Sequence, residues 1–403
     1  ASDTSSLLYQ ACVSSNDMLV DKLLLDGVKP NYRNKGTKET PLHAAVRNND
    51  VSIIRKLLSA SANPYAQNGV GYTPLHLAIS SGNEAGIQDL VDAMEHLNVQ
   101  DNGLETPLFA AISIGCKMKT IKVITRKTNL SMKNSEGKTP TQFAVEKNHI
   151  DFLNYFTNIY GSDEEGNTVL HYAVMDDNLA IFDQFANRTF KDNSTLPLIK
   201  CQNLKGDYIT HTACRWGCIE HFKHKCGEEL IKDCITKPHS LKNETHLHAA
   251  VKSPEMTDLM IQDIIEHGFG IFQKQIKSED KVKFLDKQQR NGNTLLSYAA
   301  YFNRHKLIKY LTKFDINVNI FNEDHENALH LAAKADATKS MQFIINKFKQ
   351  KADINAVNKS KDTALHMVMK QKNLEAIGLL IRHHADLSLP DAGGHTPLHD
   401  MVE

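Results

Sequence analysis

Apolar residues in this chain occur in short paired segments, and each pair has the spacing of two amphipathic helices. The stretch from Leu7 to Cys12 forms the first member of one pair, and Val20 with the run Leu23 to Leu25 forms the second. Apolar positions three and four apart fall on one face of a helix. Gly27 is placed to end the second helix. The pattern predicts a helix–turn–helix unit at the amino terminus.

The same pattern recurs with a turn of defined sequence in front of it. Thr-Pro-Leu-His occupies residues 40–43, 73–76 and 396–399, and related sequences occupy 106–109, 139–142, 168–171 and 363–366. The fourth position of the turn falls at residues 43, 76, 109 and 142, so three successive intervals are each 33 residues. A constant interval of this length predicts a stack of structural repeats.

The residue types of the turn have clear structural roles. Threonine caps a helix by accepting from a backbone N–H that has no partner within the helix. Proline in the first turn of a helix loses no hydrogen bond and presets φ. Leucine begins the apolar face, and the small residues that follow allow neighbouring helices to approach closely. These small pairs are Ala44-Ala45, Ala110-Ala111, Ala249-Ala250, Ala299-Ala300 and Ala332-Ala333.

The turn sequence and the interval resemble those of the ankyrin repeat family. The resemblance implies an all-α solenoid of about twelve helix–turn–helix repeats, joined by short β-hairpin-like loops, with a concave binding face. It also implies that the turn histidine bridges backbone groups of neighbouring repeats, which is a structural and not a catalytic role. The resemblance covers nearly the whole chain and is weakest over residues 185–286.

The spacing of the repeats divides the chain into four parts. We expect an amino-terminal capping repeat in residues 1–33 and regular repeats in residues 34–185. Divergent repeats with loop and helix insertions are predicted for residues 186–286, including a loop at 187–200 and an extended second helix near 269–286. Regular repeats return in residues 287–403, and the last is truncated within its first helix. We therefore expect the sequence to continue in a longer protein.

Composition narrows the function classes. Of 403 residues, 47 are Lys or Arg and 47 are Asp or Glu, so the formal net charge is zero. This balance gives no reason to expect binding to nucleic acid or to an anionic membrane. No run of eighteen apolar residues predicts a membrane span. The seven cysteines form no evident disulfide pattern, so we expect a reduced, cytoplasmic protein.

One group of cysteines and histidines has the spacing of possible zinc ligands. It comprises His211, Cys214, Cys218, His221, His224, Cys226 and Cys234. The alternative is structural, because His211 occupies the turn-histidine position and Cys214 replaces a packing alanine. We favour that alternative and expect no metal site. The chain has no P-loop, nucleophile elbow or dinucleotide fingerprint. We therefore expect no catalytic residues, cofactor or small-molecule substrate.

The resemblance implies two rows of partner-contacting positions. The residue before each turn threonine is expected at a hairpin tip, and these residues are mostly acidic. The residue four positions after the turn histidine is expected on the exposed side of the first helix, and these residues are mostly basic towards the carboxyl end. Trp216 and Phe302 either join this surface or fold inward beside the insertions. The candidate partner-binding residues are Tyr72, Glu105, Arg215, Trp216, Lys252, Tyr301, Phe302 and Lys334.

Three functions agree with these features. The first is a scaffold or targeting module that binds one or more proteins through the concave face and the hairpin tips. The second is the amino-terminal recognition region of a larger enzyme or host-directed effector, whose catalytic domain follows residue 403. The third is the cytosolic repeat region of a channel or toxin. We expect the first, and the sequence beyond residue 403 would separate the three.

Overall fold

The computed structural model describes residues 2–186, 198, 201–218, 244–271, 278–348 and 351–402. These residues divide into two compact units. The amino-terminal unit ends at Ile181, and the carboxy-terminal unit begins at Phe182. The described residues are helical and contain no β-strand, only an isolated antiparallel bridge between Gln202 and Tyr208. This architecture confirms the predicted all-α repeat solenoid.

Each repeat contributes two antiparallel helices in the order that the sequence predicts. In the amino-terminal unit the first helices are α1 (Ser2–Val13), α3 (Pro41–Arg47), α5 (Pro74–Ser81), α7 (Pro107–Ile114), α9 (Pro140–Glu146) and α11 (Val169–Met175). The second helices are α2 (Asp17–Leu25), α4 (Val51–Ser59), α6 (Glu84–Ala93), α8 (Met118–Thr125), α10 (Ile150–Ile159) and α12 (Leu179–Phe185). The boundary between the units falls within α12.

The carboxy-terminal unit follows the same plan with one addition. Its first helices are α13 (Ile209–Trp216), α14 (His246–Lys252), α17 (Leu295–Tyr301), α19 (Ala328–Lys334), α21 (Ala364–Lys370) and α23 (Pro397–Val402). Its described second helices are α15 (Asp258–Ile271), α18 (His305–Leu311), α20 (Thr338–Lys347) and α22 (Leu374–Arg382). An additional helix, α16 (Ser278–Leu285), lies between α15 and α17.

Successive first helices pack side by side within each unit. In the amino-terminal unit α3 contacts α5, α5 contacts α7 and α7 contacts α9; in the other unit α13 contacts α14, α14 contacts α17 and α17 contacts α19. Most alanines of the paired positions in these helices are buried, and residues such as Ala45 and Ala332 expose no surface. Small side chains at these contacts let the helix axes come close, and the leucine beside them fills the core between repeats.

The turn threonine and histidine act together at the start of each first helix. The Thr40 side chain accepts from the His43 backbone N–H, and His43 Nδ1 accepts from the Thr40 backbone N–H at 3.2 Å. Since Nδ1 is an acceptor, Nε2 carries the proton and donates to the Tyr72 carbonyl of the next repeat at 2.9 Å. The corresponding bonds run from His76 to Glu105, from His211 to Glu244, from His330 to Asp362 and from His366 to His395. The predicted bridging role of the histidine is confirmed.

The two predicted insertions differ in how much of them the structure describes. The loop expected at residues 187–200 lies outside the described residues apart from Leu198. In the second insertion, α15 extends for 14 residues and is the longest of the described helices. It packs against α18, the second helix of the following repeat. Residues 272–277 lie outside the described part of the chain.

Candidate partner-binding surface

In six of the described repeats, the residue before the turn and the residue eight positions later form an ion pair. Because the hairpin lies over the first helix of its own repeat, the two predicted rows of contact positions face each other in these repeats. The described pairs are Glu39–Arg47, Asp207–Arg215, Glu244–Lys252, Glu326–Lys334 and Asp362–Lys370, and the reversed pair Lys138–Glu146. We call this series the ion-pair ladder.

The prediction that these acidic residues lie at exposed hairpin tips is wrong. Glu39, Asp207, Glu244 and Glu326 are each 2 to 4% exposed. Each of these four side chains lies over the first helix of its own repeat, where it pairs with a lysine or arginine. Glu244 is also held by its backbone carbonyl, which accepts from His211 of the preceding repeat. These four carboxylates are therefore buried in ion pairs with cations of the chain itself.

Glu244 is the centre of a hydrogen-bonded network that joins three consecutive repeats. Its carboxylate accepts from Arg215 Nη2 at 2.9 Å, from Lys252 Nζ at 2.8 Å and from Gln289 Nε2 at 3.0 Å. The Tyr298 hydroxyl donates to Gln289 Oε1 at 2.8 Å. Lys252 Nζ also lies 4.3 Å from the centre of the Tyr298 ring, in the range of a cation–π contact. These side chains fix one another's positions.

The electrostatics of this network favour the charged forms of Glu244 and Arg215. Burial alone would raise the pKa of Glu244, but the hydrogen bond and charge of Lys252, followed by the charge of Arg215, bring it below its usual value. Burial would likewise lower the pKa of Arg215, and the carboxylates of Asp207 and Glu244 raise it instead. The predicted contact residues Arg215 and Lys252 are therefore paired with carboxylates of the chain itself, Asp207 and Glu244.

Exposed aromatic side chains lie at the ends of the first helices beside this network. Trp216, at the end of α13, is 52% exposed, and Tyr301 and Phe302, at the end of α17, are each 42% exposed. The Tyr301 and Phe302 rings pack edge to face with centroids 5.2 Å apart. The alternative that Trp216 and Phe302 fold inward is therefore wrong. We call these three residues the aromatic surface of the carboxy-terminal unit.

The two candidates in the amino-terminal unit have a different setting. Tyr72 is half-buried, and its ring stacks on the imidazole of His76 with centroids 5.6 Å apart. Glu105, at the same position of the next repeat, is also half-buried. They occupy the same position of two successive repeats in the amino-terminal unit, and neither takes part in an ion pair of the ladder.

In the cysteine and histidine group, His211 has the contacts of a turn histidine. His211 Nε2 donates to the Glu244 carbonyl at 3.1 Å, and its Nδ1 accepts from the Tyr208 backbone N–H at 3.3 Å. With both ring nitrogens engaged, His211 has no lone pair to give to a metal. Among the described residues no group of three or more potential ligands could hold a metal ion. His221, His224, Cys226 and Cys234 lie outside those residues.

Arg215 and its neighbour Trp216 are expected to differ in their effect on stability. Replacing Arg215 with alanine removes one counter-ion from two buried carboxylates. Because the arginine side chain is 39% exposed, we expect a loss of only about 1 kcal/mol. Trp216→Ala should change the free energy of unfolding by less than about 0.5 kcal/mol. Thermal unfolding followed by circular dichroism measures both. A large loss from Trp216→Ala would make it a packing residue.

Comparison with known proteins agrees with this architecture. A family model described as "Ankyrin repeats (3 copies)" matches residues 8–101, 108–195 and 264–358, which is more than half of the chain. The chain belongs to the ankyrin repeat family. Ankyrin repeats are generally protein–protein interaction modules, and the fold is typically a non-catalytic binding scaffold.

Similar ankyrin repeat regions occur in proteins of very different length and origin. Inversin from Canis lupus familiaris is 29% identical over 115 residues, which cover 28% of this chain and 10% of that protein. A putative ankyrin repeat protein from Rickettsia bellii is 35% identical over 108 residues, covering 27% of this chain and 59% of that protein. The nuclear factor NF-kappa-B p105 subunit from Gallus gallus is 28% identical over 161 residues, which cover 39% of this chain and 14% of that protein. The matched part of this ankyrin chain spans between 10% and 15% of the length of three inversins.

Within the described ranges, none of the helices has the length and apolar character needed to cross a membrane.

Proposed function

We propose that this ankyrin repeat chain binds one or more partner proteins through the aromatic surface formed by Trp216, Tyr301 and Phe302. The supporting observation is that these three large side chains are exposed. They lie at the ends of α13 and α17, and the Glu244 network holds Arg215 and Tyr298 of the same two helices in place. Tryptophan and tyrosine are frequent anchors of protein interfaces, because they bury much apolar area for little loss of side-chain entropy.

The arrangement of the neighbouring helices supports a continuous contact site. Since α13 packs on α14 and α14 packs on α17, equivalent positions of these first helices follow one another at intervals of about 10 Å. Trp216 and Phe302 occupy equivalent positions, five residues after the turn-histidine site, with Ser253 between them. A partner segment could therefore contact both aromatic positions across the small serine. Lys252 and Lys334 border the surface with their ammonium groups held by Glu244 and Glu326.

The paired cations favour protein over nucleic acid as the partner. Phosphate binding needs free lysine and arginine side chains, and here Arg215, Lys252 and Lys334 are engaged by buried carboxylates. The rigid scaffold adds to affinity, because ordering costs on binding are low when the contacting helices are already fixed. The proposed activity is therefore recognition without chemistry.

The test compares partner recovery by two matched double variants. Trp216→Ala with Phe302→Ala removes the ends of the aromatic surface. Leu259→Ala with Leu374→Ala removes comparable exposed apolar groups from the second helices, where each leucine is 69% exposed. Quantitative affinity capture should recover a protein with the unmodified chain and the leucine variant. The aromatic variant should bind that protein at least tenfold more weakly, as expected for the loss of about 2 kcal/mol at an interface anchor.

Purified components then give the decisive result. Isothermal titration of the recovered protein against each variant measures the dissociation constants directly. Equal affinities of the unmodified chain and the aromatic variant would disprove the proposed surface. Circular dichroism must show that both variants keep the helical content of the unmodified chain.

A further inference from the structure

Among the described residues, Glu105 is the one acidic residue directly before a turn whose side chain forms no ion pair. Glu39, Asp207, Glu244, Glu326 and Asp362 each bind the lysine or arginine eight residues later. The residue eight positions after Glu105 is Ser113. Within the described part of the chain, the Glu105 carboxylate has neither a salt bridge nor a side-chain hydrogen bond.

The preceding repeat does not supply the missing cation either. Arg215 shows that a cation on one first helix can reach the carboxylate of the next repeat, since its Nη2 lies 2.9 Å from Glu244 Oε2. The equivalent position before Glu105 is Ser80. Both sources that neutralise Glu244 are therefore replaced by serine around Glu105, and both serines are exposed.

The other charged groups near Glu105 leave its negative charge uncompensated. Its pKa is raised by burial first, then by the nearby carboxylates of Asp101 and Glu136, and only the charge of Lys147 acts in the opposite direction. Lys138, in the next repeat, binds Glu136 and Glu146. A cation arriving from outside would therefore find a half-buried carboxylate with no competing intramolecular partner.

Apolar side chains are exposed on the hairpin that contains Glu105 and on the neighbouring hairpin. Val70 is 54% exposed and Leu104 is 48% exposed. The two tips are joined by a backbone hydrogen bond of 3.4 Å from Asn102 N to the Val70 carbonyl. Leu104 has a φ of +59°, a conformation that the equivalent Gly71 adopts without a side chain to strain it. The surface thus combines an uncompensated negative charge with exposed aliphatic groups.

We propose that the third and fourth repeats bind a protein segment that presents a lysine or arginine next to an aliphatic residue. The basic side chain takes the place that Lys252 or Lys334 takes within other repeats and pairs with Glu105. The aliphatic residue contacts Val70 and Leu104. This inference rests on the proposed function only in assuming a protein partner, and it concerns a different unit and different residues.

A substitution within the chain can supply the missing cation and so compete with the partner. Ser113→Lys is expected to pair with Glu105 as Lys252 pairs with Glu244, at 2.8 Å in that repeat. It should reduce binding of the basic segment at least tenfold. Glu105→Gln, which removes the charge and keeps the shape, should do the same. Ser59→Lys adds the same charge at an exposed position on α4 and should leave binding within twofold.

The probe is a displayed library of random twelve-residue peptides selected on the intact 403-residue chain. We expect the selected peptides to carry lysine or arginine beside leucine, isoleucine or valine. A synthetic peptide of that sequence should bind less tightly as salt rises, because an exposed ion pair is screened. Its affinity is then measured for Ser113→Lys, Glu105→Gln and Ser59→Lys.

The outcomes separate this inference from the proposed function. Failure to select basic peptides, or equal affinity for the unmodified chain and Ser113→Lys, overturns the inference about Glu105. Peptides that bind Ser113→Lys normally but are lost with Trp216→Ala and Phe302→Ala overturn it and support the aromatic surface instead. Loss of binding with Ser113→Lys and with Glu105→Gln, but not with Ser59→Lys, supports the Glu105 site whatever the aromatic variants show.

Discussion

Replacing Leu75 with alanine is expected to lower the free energy of unfolding of the amino-terminal unit by about 2–5 kcal/mol. Leu75 is fully buried in α5, and α5 packs between α3 and α7. The substitution removes three carbons from a close-packed contact and leaves a cavity that two fixed neighbouring repeats cannot fill. Since each repeat is stabilised mainly by its neighbours, the effect should spread to both.

Denaturant unfolding and hydrogen exchange together measure this effect. Long repeat arrays can unfold in stages, so exchange of the α3, α5 and α7 amides locates the loss better than a single midpoint does. Ile114→Ala is the matched control, because isoleucine has the same number of carbons and Ile114 is 53% exposed on α7. The control should change stability by less than about 0.5 kcal/mol. Unchanged amide protection in Leu75→Ala would contradict the assignment of this repeat core.

Lowering the pH from 7 to 5 is expected to destabilise each unit by about 2 kcal/mol for every strongly shifted turn histidine. Burial lowers the pKa of His43 to about 4 and that of His248 to about 3. Both therefore stay neutral in the folded chain. In the unfolded chain they gain a proton below the ordinary histidine pKa of 6.5, so proton uptake favours unfolding as the pH falls.

Carboxyl groups with raised pKa values act in the opposite direction. Burial raises the pKa of Glu105 and Asp176 in the amino-terminal unit and that of Asp286 in the carboxy-terminal unit. These groups bind protons more readily when folded, so they offset part of the loss in the same pH range. Urea unfolding at a series of pH values should still show a net decrease towards pH 5.

Glutamine at the histidine positions gives the control for this pH effect. The chain already uses Gln142 at the same position of another turn, where its backbone N–H donates to Thr139 and its side chain donates to Asp176 at 3.3 Å. His43→Gln with His248→Gln should cost some stability at pH 7 but make stability depend less on pH. A double variant with the same pH dependence as the unmodified chain would show that other groups dominate acid unfolding.

The parts of the fold that depend on local sequence were predicted correctly. Thr40 and Thr73 cap their helices and His43 and His76 bridge to the next repeat, because every member of these contacts sits at a fixed place in a repeated turn. Where the turn departs from the pattern the contact changes accordingly. Phe109 replaces the histidine of the fourth repeat, and the hydroxyl of Thr106 has no hydrogen-bond partner among the described residues.

The candidate site could be predicted only in part. Trp216, Tyr301 and Phe302 could be named from the repeat positions, but their exposure could not, since an aromatic residue beside an insertion can equally fill a gap. The acidic residues before the turn threonines were assigned to the surface because the resemblance to ankyrin repeats implies a hairpin tip at that position. Their burial depends on how the hairpin packs over the first helix of its own repeat. The same packing leaves Glu105 beside Ser113 and not beside a lysine or arginine.

The sequence by itself determined that this chain is a stack of ankyrin repeats, because the interval, the caps and the apolar faces are encoded within each short unit. Only the tertiary structure decided which charged side chains are paired within the chain and which a partner could bind. Glu39 meets Arg47 across a turn, and Glu244 meets Gln289 from 45 residues away. The contact between Glu244 and Gln289 forms because one repeat packs on the next. The residue types alone do not indicate which side chains this packing brings together.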